Sequence, residues 1–370
     1  MRKPLYVRIL YLDVDSLGAP YSGGQAKRTF EVARRIARHH DVHVLTAGHP
    51  SLARRETIDG VAYERMLPLP TGANFLWYFL EAVPRGLTTD ADLIVESFSV
   101  PLTATLLFRF SKRPVIGVSN FLFAKYLAAK YHVPFDAWEN LMLKPVRYAI
   151  ALTKAQRDHI VKRAPNADVT LIPNGADTSA MDFRWSGRGG YVAFMGRIEF
   201  FQKGIEYLLN AAAQFPPGIE LRIAGAGPDT SRLHDAITTR GLDRRVQYVG
   251  RLAGDERHRF LADACMLAFP SRYEGQSLVL LDALTIGVPI VAFGIPENVE
   301  VLEGISPLVT PFDEAEFARA IIAMVNNPEL QELTSEAERK ASARYQWDTI
   351  AAQEMEYYER VMTIERSRRT

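Results

Sequence analysis

The sequence has a single cysteine and no long apolar run, and both absences narrow what the chain can be. Cys265 is the only cysteine among 370 residues, so no disulfide can form within the chain. Such cysteine use fits a reducing compartment. No stretch of about 18 apolar residues occurs, so no transmembrane helix is predicted. The first apolar run is short, contains Arg8 and lacks a small-residue cleavage site, so it indicates a strand and not a signal peptide. We therefore expect a cytoplasmic protein.

Two common kinds of catalytic site also lack their motifs. No Gly-x-Ser-x-Gly elbow is present, so a hydrolase triad has no support. The histidines between His39 and His49 lack the paired spacing of a zinc site. Asp13 and Asp15 in LDVDS follow the first apolar run, and we interpret them as strand-end residues and not as metal ligands. We predict no metal site.

Charge is unevenly distributed along the chain. Residues 1–175 have 23 basic and 15 acidic side chains, whereas residues 176–370 have 21 and 28. Three aromatic-rich segments lie in the basic half, and two of them also contain basic residues. They are FLWYF (75–79), LLFRFSKRP (106–114) and NFLFAKYLAAKY (120–131). These segments could lie on an anionic membrane, at the inner membrane face of the cell. Alternatively the aromatic residues fill the core and the basic ones are solvated, and both interpretations stay open.

Apolar runs separated by helical patterns predict an α/β fold with ten strands, five in each half. The predicted strands are Leu5–Leu12, Val42–Ala47, Asp92–Ser97, Pro114–Ser119, Tyr148–Thr153, Tyr191–Gly196, Ile219–Gly225, Val246–Gly250, Met266–Pro270 and Pro289–Phe293. This alternation favours parallel sheets covered by helices on both faces. We predict two Rossmann-like, doubly wound domains that face a central cleft, with ligands beyond the carboxyl ends of the strands.

The predicted domain boundaries follow from this alternation of strands and helices in the two halves of the chain. The N-terminal domain is residues 1–175, the second domain is residues 176–346, and residues 347–370 form a helix that packs back on the first domain. The polar and glycine-rich segment Phe183–Gly190 indicates the seam between the two.

Glycines and cations follow several predicted strand ends. Gly23 and Gly24 come after the first strand and open a helix, so their backbone could approach a phosphate or a sugar. Arg197 follows the strand that ends at Gly196, and Lys203 precedes the next long helix. Two such cations could clamp a diphosphate. Taken alone, the Gly-Gly pair is also explained by a plain strand-to-helix turn, and an isolated Arg or Lys is better explained as a solvated surface charge.

The segment PSRYEGQSLVLLDALTIGVPIVAF, residues 270–293, places two carboxylates around the start of a predicted helix. Free amides at residues 275–277 could hold phosphate oxygens there. A carboxylate beside a phosphate would repel it, so Glu274 is better suited to accept hydrogen bonds from sugar hydroxyls. Asp282 could do the same for a second polyol such as a ribose. Without a ligand, Glu274 is an acid favoured by the helix dipole and Asp282 is an ordinary helix residue.

Several motifs occur in an order that is typical of one family. They are IPNGAD (172–177), GRIEFFQKG (196–204), AGAGPD (224–229), YVGRL (248–252), FPSRYEGQSLVLLDALTIGVPIVA (269–292) and PENVE (296–300). With these motifs and the Gly-Gly loop, the chain resembles the retaining glycosyltransferases of family 4, which have the GT-B fold. The resemblance covers nearly the whole chain and is strongest from Val169 to Phe293. It implies transfer of a sugar from a nucleotide-diphosphate sugar to an acceptor hydroxyl.

The resemblance also implies which residues act. Arg197 and Lys203 would bind the donor diphosphate, Glu274 the donor sugar and Asp282 the ribose. The other implied donor-binding positions are Gly23, Gly24, Gly196, Gly225, Gly227, Arg251, Gly275, Gln276, Ser277 and Leu278. No cofactor and no obligatory metal are implied, because cations and helix dipoles stabilise the leaving diphosphate. The implied acceptor is a sugar, lipid-linked or small-molecule hydroxyl, and no nucleic acid is involved.

Two departures from the family pattern leave other functions open. The family usually has glutamate where this chain has Asp282, and many members have histidine where VIGVSNF has Asn120. We include Asn120 among the residues of the reaction site, and His132 is a weaker candidate. A nucleotide-sugar 2-epimerase or a sugar phosphorylase of the same fold, and a non-catalytic nucleotide-binding subunit, remain alternatives.

Overall fold

The computed structural model describes residues 6–20, 22–68, 74–98, 105–122, 124–132 and 135–368. The chain forms two compact units. One contains the chain up to Asn174 together with the C-terminal segment that begins at Trp347, and the other is Gly175–Gln346. The segment Phe183–Gly190 lies inside the second unit, where the Trp185 backbone N–H donates to the Ile286 carbonyl at 3.0 Å. Its interpretation as the domain seam is therefore wrong.

The first unit is built on an eight-stranded sheet. Its strands are β1 (Arg8–Asp13), β2 (Asp41–Thr46), β3 (Arg55–Ile58), β4 (Val61–Arg65), β5 (Leu93–Ser97), β6 (Val115–Ser119), β7 (Tyr148–Ala151) and β8 (Asp168–Leu171). They are ordered β3-β4-β2-β1-β5-β6-β7-β8. All neighbours are parallel except β3 and β4, which form an antiparallel hairpin.

The second unit is built on a six-stranded parallel sheet. Its strands are β9 (Tyr191–Met195), β10 (Glu220–Ala224), β11 (Val246–Gly250), β12 (Met266–Phe269), β13 (Ile290–Phe293) and β14 (Leu308–Val309). They are ordered β11-β10-β9-β12-β13-β14. The chain therefore runs outward in opposite directions from β9 and β12, and the carboxyl ends of these two strands flank the point where ligands bind in open sheets.

Helices connect the strands and cover the sheets. They are α1 (Gly24–Ile36), α2 (Asn74–Thr88), α3 (Thr105–Phe110), α4 (Ala124–Tyr131), α5 (Phe135–Leu143), α6 (Lys154–Arg163), a 3₁₀ helix (Thr178–Asp182), α7 (Phe200–Lys203), α8 (Ile205–Ala213), α9 (Thr230–Thr239), α10 (Asp255–Asp263), α11 (Leu278–Ile286), α12 (Pro296–Leu302), α13 (Glu314–Val325), α14 (Pro328–Ser342) and α15 (Trp347–Ser367). Within the described part of the chain, none is both long and apolar enough to cross a membrane.

All ten predicted strands are present, and four strands were not predicted: β3, β4, β8 and β14. The predicted strands read as continuous apolar runs because both sheet faces are buried. In β9, for example, Phe194 belongs to one buried cluster and Ala193 to the cluster on the other face. The β3–β4 hairpin turns at Asp59 and Gly60, whose φ angles of 47° and 83° fit the favoured two-residue hairpin turn.

The C-terminal helix α15 packs on α1 in the first unit. Arg28 on α1 forms an ion pair with Glu354 on α15, and both side chains are buried. The hydroxyls of Tyr11 and Tyr358 lie 3.2 Å apart beside it. A buried pair of this kind is costly to break from one side, because the remaining charge then has no partner.

Candidate functional site

Several of the predicted site residues lie at the carboxyl edge of the second sheet. Gly196 and Arg197 follow β9, and Arg197 is exposed. Arg251, also exposed, directly follows β11. Glu274 lies in the turn between β12 and α11. Because β9 and β12 are neighbours, their carboxyl ends bring the Arg197 and Glu274 segments to the same stretch of the sheet edge.

Lys203 reaches this edge because a glycine ends its helix. Lys203 is the last residue of α7, and Gly204 follows with a left-handed φ of 65°. A Cβ atom on Gly204 would lie 2.2 Å from the carbonyl oxygen of Pro270. Only glycine permits this approach, which holds the end of α7 against the turn after β12.

Lys203 and Glu274 form an ion pair. Lys203 Nζ donates to Glu274 Oε1 at 2.5 Å, and the two side chains are 14% and 7% exposed. The ammonium also lies 5.9 Å from the centre of the Phe269 ring. In such a poorly hydrated setting the pair is screened little by water, so it is a strong and well-fixed local dipole. The structure thus brings together two residues that are 71 positions apart.

The helix start beside Glu274 offers further donors. Ser277 is the N-cap of α11, and its side chain makes no capping hydrogen bond. Gly275 and Gln276 are buried before it, and Leu278 is the first helical residue. The first amides of a helix have no partner within the helix, and its dipole places partial positive charge there. This helix start therefore favours an anion, and Lys203 adds an ammonium beside it whose charge Glu274 offsets in this structure.

The glycines after β9 and β10 are needed for packing between the two turns. A Cβ on Gly225 would lie 1.8 Å from the Gly196 carbonyl oxygen, and Gly225 has a φ of 143°. A Cβ on Gly227 would lie 2.2 Å from the Ile198 carbonyl oxygen. These contacts explain both glycines without a ligand, and their predicted proximity to the donor stays a prediction.

Asp282 is enclosed within the second unit and is only 2% exposed. Its Oδ1 accepts the Asp177 backbone N–H at 2.8 Å, and its Oδ2 accepts from Arg257 Nη2 at 2.5 Å. Arg257 Nη2 also lies 3.4 Å from Asp177 Oδ2. The sequence predicted a direct contact between Asp282 and a ribose, and this geometry does not favour that contact. Sequence reasoning missed Arg257, although a cation in the first turn of a helix is unusual there.

The Asp15 carboxylate holds the Gly-Gly loop of the first unit, and Asp13 in turn binds Asp15 and α1. The Gly23 N–H donates to Asp15 Oδ2 at 2.7 Å, so this amide already has an anionic acceptor. Gly24, the first residue of α1, is exposed. Asp13 ends β1 and accepts from the Thr29 hydroxyl at 2.5 Å and from the Asp15 N–H at 2.9 Å. Asp13 is buried, which raises its pKa to about 6, with the nearby Asp15 charge adding to the shift. The carboxylate at Asp15 disfavours a phosphate at Gly23.

Asn120 follows β6 at the carboxyl edge of the first sheet. Its Nδ2 is buried and has no hydrogen-bond partner among the described residues. The neighbouring Ser119 hydroxyl is likewise buried without a partner there. His132, by contrast, follows the end of α4 and is exposed. Asn120 therefore offers a spare donor at this sheet edge and stays a candidate site residue.

No metal centre is visible in the described ranges, since no three His, Cys, Asp or Glu side chains there lie close enough together to hold an ion. Asp13 is the last residue of β1, as the sequence predicted, whereas Asp15 lies two residues beyond the strand.

Two family matches together span most of the chain. Residues 22–180 match the family described as Glycosyltransferase Family 4. Residues 189–327 match the family described as Glycosyl transferases group 1. Among curated relatives, the phosphatidyl-myo-inositol mannosyltransferase of Mycobacterium leprae (strain TN) is 25% identical over 372 residues, which covers 93% of this chain and 96% of that protein.

Solved structures share the architecture over almost the full length. Sucrose-phosphate synthase from Thermosynechococcus elongatus matches with a TM-score of 0.82 and 21% identity, covering 97% of this chain and 100% of that one. The Anabaena protein Alr3699/HepE, in complex with UDP-glucose, matches with a TM-score of 0.77 and 20% identity, covering 96% of this chain and 100% of that one.

Proposed function

The chain belongs to the family 4, group 1 glycosyltransferases and has their two-domain GT-B fold. We propose that it transfers a sugar from a nucleoside-diphosphate sugar and retains the configuration at the anomeric carbon. The observation that carries the proposal is the ion pair between the half-buried Lys203 and the buried Glu274, beside the uncapped start of α11. The Lys203 ammonium and the amides at the start of α11 can bind a diphosphate. The Glu274 carboxylate can accept hydrogen bonds from the hydroxyls of a neutral sugar.

Lys203 and the α11 amides stabilise the negative charge that develops on the departing diphosphate. Arg197, exposed at the end of β9, adds a second cation. The bond from the sugar C1 to the phosphate oxygen breaks, and a bond from C1 to the acceptor oxygen forms on the same face. The acceptor hydroxyl proton passes to the departing phosphate oxygen. Glu274 orients the donor sugar by accepting from its hydroxyls.

The reaction as proposed needs no cofactor and no obligatory metal ion. Fixed cations and helix amides supply the charge stabilisation that a bound metal supplies in other phosphate sites. A panel of UDP-, GDP- and ADP-sugars, assayed with and without EDTA, tests this proposal. We expect turnover with one donor and equal rates in EDTA, and an α-linked donor should yield an α-linked product by NMR. Loss of turnover in EDTA, or an inverted product, would overturn the metal-free or the retaining part.

The acceptor in this proposal is lipid-linked, and exposed apolar residues on α3 support it. Leu106 and Phe110 are 49% and 59% exposed, and the cation Arg109 lies between them in sequence. Leu107 and Phe108 fill the core instead. The side chains of the FLWYF segment lie outside the described residues. The relative from Mycobacterium leprae is named for a phosphatidyl-myo-inositol acceptor, which is consistent with a membrane-bound substrate here.

Vesicle flotation tests the membrane proposal. We expect the protein to float with vesicles that contain anionic lipid, and the Phe110→Ser variant to float less. Leu333→Ser removes a similarly exposed apolar residue from α14 in the second unit and should have no effect. Equal flotation of both variants, or no flotation with any vesicle, would reject the membrane contact at α3.

A further inference from the structure

Arg257 is fixed by acidic groups from two other elements. It is the third residue of α10, and its Nη2 is bound by Asp282 on α11 and lies near Asp177, the N-cap of the 3₁₀ helix. The same Nη2 lies 3.3 Å from His258 Nε2. One nitrogen of the guanidinium thus makes all these contacts. The planar group is held in one orientation, which reduces the entropy lost when it binds a ligand.

The rest of the guanidinium has spare donors. Within the described ranges Nη1 makes no hydrogen bond and is the donor left for a ligand, whereas Nε also has no partner there but is buried. The Arg257 side chain is 28% exposed, whereas that of Asp282 is 3% exposed. A ligand at this point therefore meets Arg257 and not Asp282. The carboxylate that the sequence assigned to a ribose instead orients an arginine.

Local charge indicates the kind of ligand. Arg257 carries one positive charge, and Asp177 and Asp282 together carry two negative charges within hydrogen-bond range of it. The net negative charge disfavours a phosphate and suits a neutral group with hydroxyls. A vicinal diol fits because its oxygens accept from a guanidinium and its hydroxyls donate to a carboxylate, here that of Asp177, whose side chain is 19% exposed.

The position of Arg257 along the edge of the sheet also favours a nucleoside and not a diphosphate as its ligand. Lys203 and the start of α11 lie at the turns that follow β9 and β12. Arg257 lies on α10, which begins five residues after the end of β11, the strand at one edge of the sheet. The diphosphate and the nucleoside of one donor would thus occupy separate parts of the same carboxyl edge.

We propose that Arg257, oriented by Asp282, hydrogen-bonds the ribose hydroxyls of the donor nucleotide and so selects ribonucleotides. This inference rests on the proposed function, since it assumes a nucleotide donor. Asp282 is then a positioning residue, since its carboxylate holds the Arg257 guanidinium and is itself only 3% exposed.

Calorimetric binding of nucleoside diphosphates and their 2′-deoxy and 3′-deoxy counterparts tests the proposal. We expect the native protein to prefer the ribonucleotide by about tenfold or more, as for loss of one hydrogen bond to a charged group. Arg257→Gln should bind the ribonucleotide about tenfold to a hundredfold more weakly and lose the preference. Arg259→Gln, on the same helix but 65% exposed and paired only with Asp255 among the described residues, is the matched control and should behave as native.

A rescue variant separates recognition from folding. In Arg257→Ala with Asp282→Glu, the longer carboxylate is released from its arginine, and we expect part of the ribose preference to return. Arg257→Lys keeps the charge and serves if the glutamine variant does not fold.

Three results would overturn the inference. Equal weakening of ribo- and deoxynucleotides by Arg257→Gln would place the contact at the phosphates. A lower melting temperature with an unchanged preference would make the residue structural. If the native protein binds no nucleotide, the proposed function fails as well, whereas native binding with an unaffected Arg257→Gln rejects this inference alone.

Discussion

Replacing Lys203 with methionine should damage both stability and catalysis, for separable reasons. The Glu274 side chain is 7% exposed, so Lys203→Met leaves a buried carboxylate without its cation. Removing one partner of a buried pair typically costs about 3 kcal/mol. For a unit the size of Gly175–Gln346, that loss lowers the melting temperature by about 6–12 °C. Loss of the cation should also slow transfer about 100-fold, as when one donor to a developing oxyanion is removed.

A double-mutant cycle separates the two effects. Lys203→Met combined with Glu274→Gln removes both charges, so we expect about half of the lost stability or more to return. Transfer should stay slow, because neither the cation nor the carboxylate is present. Lys340→Met removes an exposed cation from α14 and serves as the control. Thermal unfolding and initial transfer rates are measured for all variants.

Additive destabilisation in this cycle would show that Lys203 and Glu274 do not stabilise each other. If the double variant melts lower than Lys203→Met by the full cost of Glu274→Gln, the two side chains do not interact in solution. Recovery of transfer in the double variant would show that Lys203 acts only by neutralising Glu274.

Two further predictions concern the second unit. Gly225→Ala places a methyl 1.8 Å from the Gly196 carbonyl at a φ of 143° and should cost about 3 kcal/mol or more in urea unfolding. Gly241→Ala has a φ of 65° and no atom within 4 Å, so it should cost only about 1 kcal/mol, and equal losses would contradict the packing argument. Burial raises the pKa of Glu338, so the folded state holds a proton that the unfolded state releases above about pH 4. The free energy of unfolding should therefore fall as pH rises from 4 to 8, and Glu338→Gln should reduce that fall; parallel profiles for the two proteins would contradict this.

The fold was largely predictable because most strands are buried on both faces. Such strands appear in the sequence as apolar runs, and no partner has to be known to recognise them. The missed strand β3 alternates exposed with half-buried residues and has Arg55 and Glu56 at its start, so it lacks that signal. Its Asp59–Gly60 turn was nevertheless a usable hairpin signal. The strand β14 has only two residues and gives no pattern to detect.

The sequence predicted which residues follow the ends of strands and so lie at the site, but it did not predict the contacts between them. Lys203 and Glu274 follow neighbouring strands, so the sequence placed both at the carboxyl edge, yet their ion pair depends on the close approach of Gly204 to Pro270. The position of Asp282 in the sequence predicted a ligand contact, but packing of α10 on α11 brings Arg257 to it. Contacts of this kind depend on tertiary packing, which spacing along the chain does not encode.

The most direct test of the account is release of nucleoside diphosphate from the preferred sugar donor by the native protein and by Glu274→Ala. We expect slow release by the native protein in the presence of EDTA and a loss of about 100-fold or more in the variant, with nucleotide binding retained. Full release by Glu274→Ala would contradict the assignment of the Lys203–Glu274 pair as the reaction site.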